Sequence, residues 1–271
     1  MNTKLVLLTV FSGILCHAME NVHELVKPKK IGIFSEINQR KQQEDFFYHG
    51  IVDGGNLYAV YDGHLGPQVA DFLARNFHAY FCKTSGSMRE RMIQTFQNVD
   101  NDEVIKKYKH CGAAAAIVFI KDNVAHCAHV GDVRIVLESD GKVAFATIDH
   151  TPDRADEYVR IEDKKGAQFA DSMKDFLILS RSFGDHGFNK DVMIVEPDYK
   201  EIELTQQYKI LALATHGLWS VMSNKEAMEK LHAKRSQGVD DMNLLAKMLG
   251  MFAIKRNSKD NITVMLIDLL S

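Results

Sequence analysis

Asp62-Gly63-His64 puts a carboxylate, a glycine whose carbonyl can be approached closely, and an imidazole on one short stretch of chain. Oxygen donors of this kind suit a divalent cation, and a neighbouring imidazole suits acid or base work. Asp-Gly turns are common without any chemistry, so the stretch takes its meaning from its flanks. Asn56 to Tyr61 reads as a strand that stops in this acidic turn. Beyond it, Val69, Phe72, Leu73, Phe77, Tyr80 and Phe81 recur at the spacing of a helix with one buried face. Strand and helix both anchor in a core, so the turn between them is held rigidly.

Other acids sit where apolar runs begin or end. Arg40, Glu44 and Asp45 precede Phe46 and Phe47, Asp132 follows Gly131 after Asn123 to Val130, and Asp260 leads into Asn261 to Leu270. Single acids at strand ends are mostly solvated caps. Several on one edge of a sheet make a hard-cation site.

The elements that must position them can be read in order. Ile31 to Phe34 is a first strand, and Asp53-Gly54-Gly55-Asn56 is a hairpin turn. Met88, Met92, Phe96 and Val99 mark a second helix, whose methionines belong to a core. Ala113 to Ile120, Asn123 to Val130 and Arg134 to Glu138 read as an antiparallel meander. Glu157 to Lys165 is a charged helix closed by Gly166, and Phe176 to Ser180 a further strand. Glu203 to Thr205 closes a short strand, and Ile210 to Thr215 is a strongly apolar one running into His216. Ser223 and Glu226 form a capping box with Met222 and Ala227 as its staple, and Met242, Leu245, Leu249 and Phe252 define a last helix. Strands and helix pairs in this order predict an α+β fold: two packed antiparallel β-sheets flanked by α-helices.

Composition narrows the partners. The 271 residues are 46% hydrophobic and 25% charged, enough for one large core in a domain expected over 31–271. A formal charge of −3 provides no basic field for nucleic acid and no polybasic run for a membrane surface. Lys4, an apolar run from Leu5 to Cys16 and Cys16-His17-Ala18 resemble an export signal cleaved after residue 18, with 19–30 as a linker. The run is too short to span a bilayer comfortably, so no permanent membrane span is expected. Acylation at Cys16 and a buried first element are the alternatives. Cys82, Cys111 and Cys127 would remain, an odd count without CxxC spacing, read as buried core thiols.

Taken together, the motifs resemble those of the metal-dependent protein phosphatases of type 2C, the PPM family of Ser/Thr phosphatases. The resemblance spans roughly residues 30 to 270, with the blocks in the family's order. Arg40 with Glu44-Asp45 resembles Arg-x-x-x-Glu-Asp, Val60-Tyr61-Asp62-Gly63-His64 resembles Val-Phe-Asp-Gly-His, and His129 to Arg134 resembles Asn-x-Gly-Asp-Ser-Arg. Asp149-His150-Thr151-Pro152, Ser180 to Asp185, Leu218 to Ser223 and Lys259 to Val264 complete the set. The resemblance implies two Mg²⁺ or Mn²⁺ ions sharing a bridging water or hydroxide between the sheets. It implies that Asp62 bridges both ions, that the Gly63 carbonyl binds one and Asp260 the other, and that Glu44 and Asp45 act through bound waters or from behind. Asp132 lies beside a weaker third position. Arg40 would grip the substrate phosphate and His64 would protonate the leaving oxygen. The implied partner is a phosphorylated protein, and the chain is expected to act as an exported monomer.

The departures are specific. The family's Ala-x-Asp-Gly block reads Ala214-Thr215-His216-Gly217, and a second family aspartate is Ser220. Gly112 to Ala115 replaces a Gly-Ser-Thr-Ala stretch as packing, and the segment after Asp185 is short, which implies a reduced flap. His216 as a ligand would shift preference toward softer ions such as Mn²⁺. His216 as a core histidine would favour a pseudophosphatase, a phosphopeptide-binding module on the same fold.

Overall fold

The computed structural model describes residues 29–176 and 178–270. The export signal expected over 1–18, and the linker up to residue 28, lie outside the described residues. The chain opens with β1 (Ile31–Glu36), β2 (Asp45–Val52) and β3 (Gly55–His64), then α1 (Gln68–Lys83), α2 (Met88–Asp100) and α3 (Glu103–Lys107). Next come β4 (Gly112–Lys121), β5 (Val124–Val130), β6 (Arg134–Ser139) and β7 (Lys142–Ala146), followed by α4 (Ala155–Lys165), α5 (Ala167–Phe176) and β8 (Phe183–Gly184). The last part runs β9 (Asp198–Glu203), β10 (Ile210–Ala214), α6 (His216–Trp219), α7 (Asn224–Ser236), α8 (Met242–Lys255) and β11 (Ile262–Asp268).

The strands form two antiparallel sheets, one ordered β1-β11-β10-β6-β7 and the other β2-β3-β4-β5-β9, with β8 on β4. Alternation sorts each strand's side chains between two cores. Tyr58 and Val60 of β3 pack between the sheets with Val118, Ile135, Leu213 and Met265. The intervening Leu57, Ala59 and Tyr61 face Leu73 and Phe77 of α1 and Phe96 of α2. On the far side, β10 and β11 pack against Met228 of α7 and Leu245 and Leu249 of α8. The result is four layers, helices outside and sheets inside, as the α+β reading requires.

Local signals account for the helix ends. Ser87 and Glu90 form a full capping box on α2. On α7 only half of the expected box is present, because Ser223 caps the Glu226 amide while the Glu226 carboxylate turns to Arg256, at 2.5 and 2.6 Å. Met222 and Ala227 are buried in one cluster, as a staple requires.

Four expectations change. The strand does not stop before Asp62: β3 runs on through His64, and the turn follows it. The expected meander breaks, since β5 pairs with β4 and β9 whereas β6 pairs with β10 and β7 in the other sheet. Gly131 makes that crossing, with φ at +81° and a Cβ there placed 2.5 Å from the Ala114 side chain. Phe176 to Ser180 is not a strand, because Phe176 ends α5 and Ile178 is 76% exposed. Of the three cysteines only Cys127 is buried, and Cys82 is exposed. No helix among the described residues is long and apolar enough to cross a membrane.

Candidate active site

Asp62 and His64 continue the inward face of β3 that begins with Tyr58 and Val60, at the end where the sheets part. Asp45 faces Asp62 across the β2–β3 ladder, so antiparallel register alone sets two carboxylates side by side. Gly63 between them is tightly confined: its amide donates to Glu44 O at 3.0 Å, and a Cβ would lie 2.6 Å from that oxygen. Asp132 comes from the Gly131 crossing, Asp260 from the entrance to β11, and His216 opens α6 after β10.

Arg40, Glu44, Asp62, Gly63, His64, Asp132, His216 and Asp260 line one cavity of about 580 Å³, together with Leu65, Ile178 and Phe188 at its apolar rim. Asp45 is the exception. It is buried behind the cavity, where it accepts a hydrogen bond from Thr215 Oγ1 at 2.9 Å. The structure thus gathers nearly all the residues read from sequence and puts Asp45 behind them.

Two asparagines fix the Arg40 loop. Asn261 donates to Ile37 O and Gln42 O and accepts from the Glu44 amide, while Asn38 donates to Ser258 O and Asp260 O. Arg40 itself, half exposed, donates to Asp260 Oδ2 at 2.8 Å. His64 Nε2 lies 2.7 Å from Asp185 Oδ2, which also accepts from Ser182 Oγ at 2.5 Å. His216 reaches Asp132 Oδ2 through Nδ1 at 2.9 Å, and its amide donates to Asp62 Oδ2 at 3.0 Å. Ser220, at the other changed position, is exposed.

The electrostatics are those of a site with negative charge in excess. Burial and the neighbouring acids Asp45, Asp132 and Asp260 push Asp62 well above the usual carboxylate range. Burial lifts Asp45 to about 7 against hydrogen bonds from Thr215 and Thr263. Asp45 Oδ1 has no hydrogen-bond partner among the described residues. Burial opposes charge on His64, but Asp185 outweighs it and the imidazole shifts upward. At His216 the Asp132 carboxylate raises the ring against its burial. Crowded oxygen donors, an orphaned buried oxygen and few opposing cations fit hard divalent cations.

Asp185, Thr215, Asn38 and Asn261 are the contributors that sequence reasoning did not assign. Asp185 and Asn261 stood inside recognised motifs without a role. Their function rests on contacts across 121 residues, for His64 with Asp185, and 217, for Glu44 with Asn261, which local pattern cannot supply.

Two sheets enclosing an acid-rich cavity with an arginine at its lip define a metal-dependent phosphatase scaffold. The family pattern described as protein phosphatase 2C matches residues 34–262, and the chain belongs to that family of metal-dependent Ser/Thr phosphatases. It is 30% identical over 251 residues to "Probable protein phosphatase 2C 45" of Oryza sativa subsp. japonica, covering 88% of this chain and 87% of that protein. Among solved structures it resembles a serine-threonine phosphatase 2C from Toxoplasma gondii, with TM-score 0.73, 22% identity and coverage of 88% and 94% of the two chains. A C. elegans sex-determining protein gives TM-score 0.79 at 19% identity, covering 90% of this chain and 65% of that one.

Proposed function

We propose that this chain is a catalytically active phosphoprotein phosphatase that hydrolyses phosphoserine and phosphothreonine monoesters. The observation that carries the reading is the convergence of Asp62, Asp132, Asp260, Glu44 and the Gly63 carbonyl on one cavity that also holds Arg40 and His64. These oxygen donors, with His216 beside them, would hold divalent cations. Once bound, such ions would activate water near neutral pH and offset charge on the phosphoryl oxygens.

The chain's own groups supply the rest. Arg40 stands half exposed at the lip and can move its fork from Asp260 to the phosphate. Asp185 fixes His64 through Nε2, which leaves Nδ1 to give its proton to the departing serine or threonine oxygen. Buried Asp45 stands behind Asp62, with its Oδ2 accepting from Thr215 Oγ1 at 2.9 Å. Leu65, 68% exposed, and Ile178 present apolar surface to the chain that carries the phosphate.

One observation favours a second reading, a pseudophosphatase that holds a phosphopeptide without turnover. Arg40 and His216 direct their donors to Asp260 and Asp132, so internal pairs occupy part of the site. Hydrolysis of an aryl phosphate and of a phosphothreonine peptide by the chelator-stripped chain, with Mg²⁺, Mn²⁺ or Zn²⁺ added, separates the two. Phosphate release with Mn²⁺ is expected. Peptide binding without release under any ion would establish the binding module. An exported setting belongs to the same proposal, and intact mass of the exported form should lack the first 18 residues or so.

A further inference from the structure

Behind the Gly131 crossing lies a second group of side chains, none of which lines the catalytic cavity. His129 on β5 faces Asp198 on β9 in register, and the His129 and His150 rings stand 4.5 Å apart between centroids. One donor atom from each of His129, His150 and Asp198 falls within 4.8 Å of the other two. His150 is 0% exposed, and neither of its ring nitrogens has a hydrogen-bond partner among the described residues. Its Nε2 lies 3.3 Å from Asp198 Oδ2, a contact whose direction makes no hydrogen bond.

We propose that His129, His150 and Asp198 form a second metal site, distinct from the catalytic cavity, for a borderline-soft divalent cation of the Zn²⁺ class. Two imidazoles and a carboxylate are a zinc donor set, whereas the catalytic cavity is dominated by oxygen. Ligands at about 2.0–2.1 Å from a tetrahedral ion lie about 3.4 Å from one another. His150 and Asp198 already have that spacing at 3.3 Å, and all three donor atoms lie within 4.8 Å of one another.

The surroundings suit ligation. His129 and His150 are both buried, 3% and 0% exposed, and an imidazole binds a metal through the lone pair of its neutral form. The Ile148 carbonyl accepts from His129 Nε2 at 3.0 Å, a contact that fixes the tautomer of a ligating imidazole. Arg154 and Arg181 hold Asp198, at 3.1 and 3.2 Å. Arg154 also pairs with Asp156 at 2.6 Å, and Arg181 with Glu157 at 2.5 Å, an acid it shares with Arg160, so neither guanidinium is committed to Asp198 alone. His129 and Asp198 border a cavity of about 760 Å³, which leaves room for a water as fourth ligand. The His150 amide donates to Gly131 O at 2.9 Å, so an ion here would tie β5 and β9 to the segment that grips the residue before Asp132.

The test is Zn²⁺ binding by the full chain carrying Asp62→Asn, which disables the catalytic cavity. Calorimetry with Zn²⁺ and the visible absorption of added Co²⁺ are read before and after a second substitution, His129→Asn or Asp198→Asn. We expect one Zn²⁺ per chain in the Asp62→Asn protein. Loss of an outer contact alone weakens metal sites by about 10–100-fold, so loss of a ligand should weaken this one by more than about 100-fold. Absence of Zn²⁺ binding in Asp62→Asn, or unchanged affinity in the second variants, overturns the proposal. If His129→Asn does not fold, Asp198→Asn decides, because that side chain is 43% exposed.

Discussion

Two clusters of charge lie on either side of the Gly131 crossing, and they are built on opposite principles. In the catalytic cavity, Asp45, Asp62, Asp132 and Asp260 crowd together, and burial with mutual repulsion lifts Asp62 far above its ordinary range. Behind the crossing, Glu157 is fully buried yet held down at about 2, because hydrogen bonds from Arg181 and Arg160 outweigh its burial. Arg134 and Asp149, two more motif residues, close the same kind of pair with two contacts at 2.7 Å. Glu157, which Arg181 and Arg160 neutralise, is scaffold, whereas the unbalanced acids around Asp62 await a ligand. The same family motifs therefore encode both the site and its support, and charge balance tells them apart.

The largest effect should come from Asp62→Asn. If the unbalanced cluster exists for cations, removing its central carboxylate abolishes metal-dependent turnover, by more than about 1,000-fold, or about 4 kcal/mol. The metal-free protein should be no less stable, since a repelled charge is lost and the amide oxygen can still accept from the His216 amide. Activity and thermal unfolding measured together decide this. A fall in Tm would make Asp62 a scaffold residue and erase the contrast.

Glu157→Gln should do the reverse. Lowering Glu157 from 4.5 to about 2 corresponds to roughly 3 kcal/mol, which the variant would lose as Arg181 and Arg160 give up their shared buried acid. The folded-state value is depressed, so this stability is fully present above pH 4.5 and is lost as pH falls through about 2. Urea unfolding from pH 7 to pH 2 should show a shallower acid dependence in the variant than in the wild type. Equal slopes would mean that the pair contributes nothing.

His216→Asp probes the border between the clusters, where the His216 imidazole pairs with the cavity acid Asp132. Asp in its place adds negative charge next to Asp132 and Asp62. A unit charge at about 4 Å interacts with another by roughly 4 kcal/mol at an effective dielectric of 20, of which imidazole ligation would return a part. Mg²⁺ affinity, measured by calorimetry, should rise by more than about tenfold, with little change for Mn²⁺. An unchanged Mg²⁺ affinity would place His216 outside the ligand set.

How much of this could be read from sequence depended on the range of the forces involved. Helix faces such as Val69 to Phe81 and strands such as Ile210 to Ala214 were legible because periodicity is a local consequence of burial. The expected strand Phe176 to Ser180 misled because a short apolar stretch fits several settings: here Phe176 ends α5, and Ile178 and Leu179 line the cavity. Nothing local announced that β6 leaves the sheet of β5, since Gly131-Asp132 reads equally well as a hairpin and as a crossing. The site was legible in residue types because its motifs stand in family order. The side-chain pairs Arg40–Asp260, His216–Asp132 and His64–Asp185 were not, because each joins segments remote in the chain.

Asp185 is the residue through which that hidden layer can be tested with the smallest change. It is 1% exposed, accepts from Ser182 Oγ, and faces His64 Nε2 at 2.7 Å. Burial opposes charge on His64, and Asp185 is the strongest of the groups that raise the imidazole in spite of it. Asp185→Asn keeps the shape and removes the charge, so His64 should lose its proton at lower pH. The alkaline limb of the kcat profile should then move toward lower pH, with kcat at neutral pH down by about tenfold and KM little changed. A residue that merely supports the fold would lower Tm without moving that limb. An unmoved limb with reduced kcat would make Asp185 part of the scaffold and return the proton to another donor.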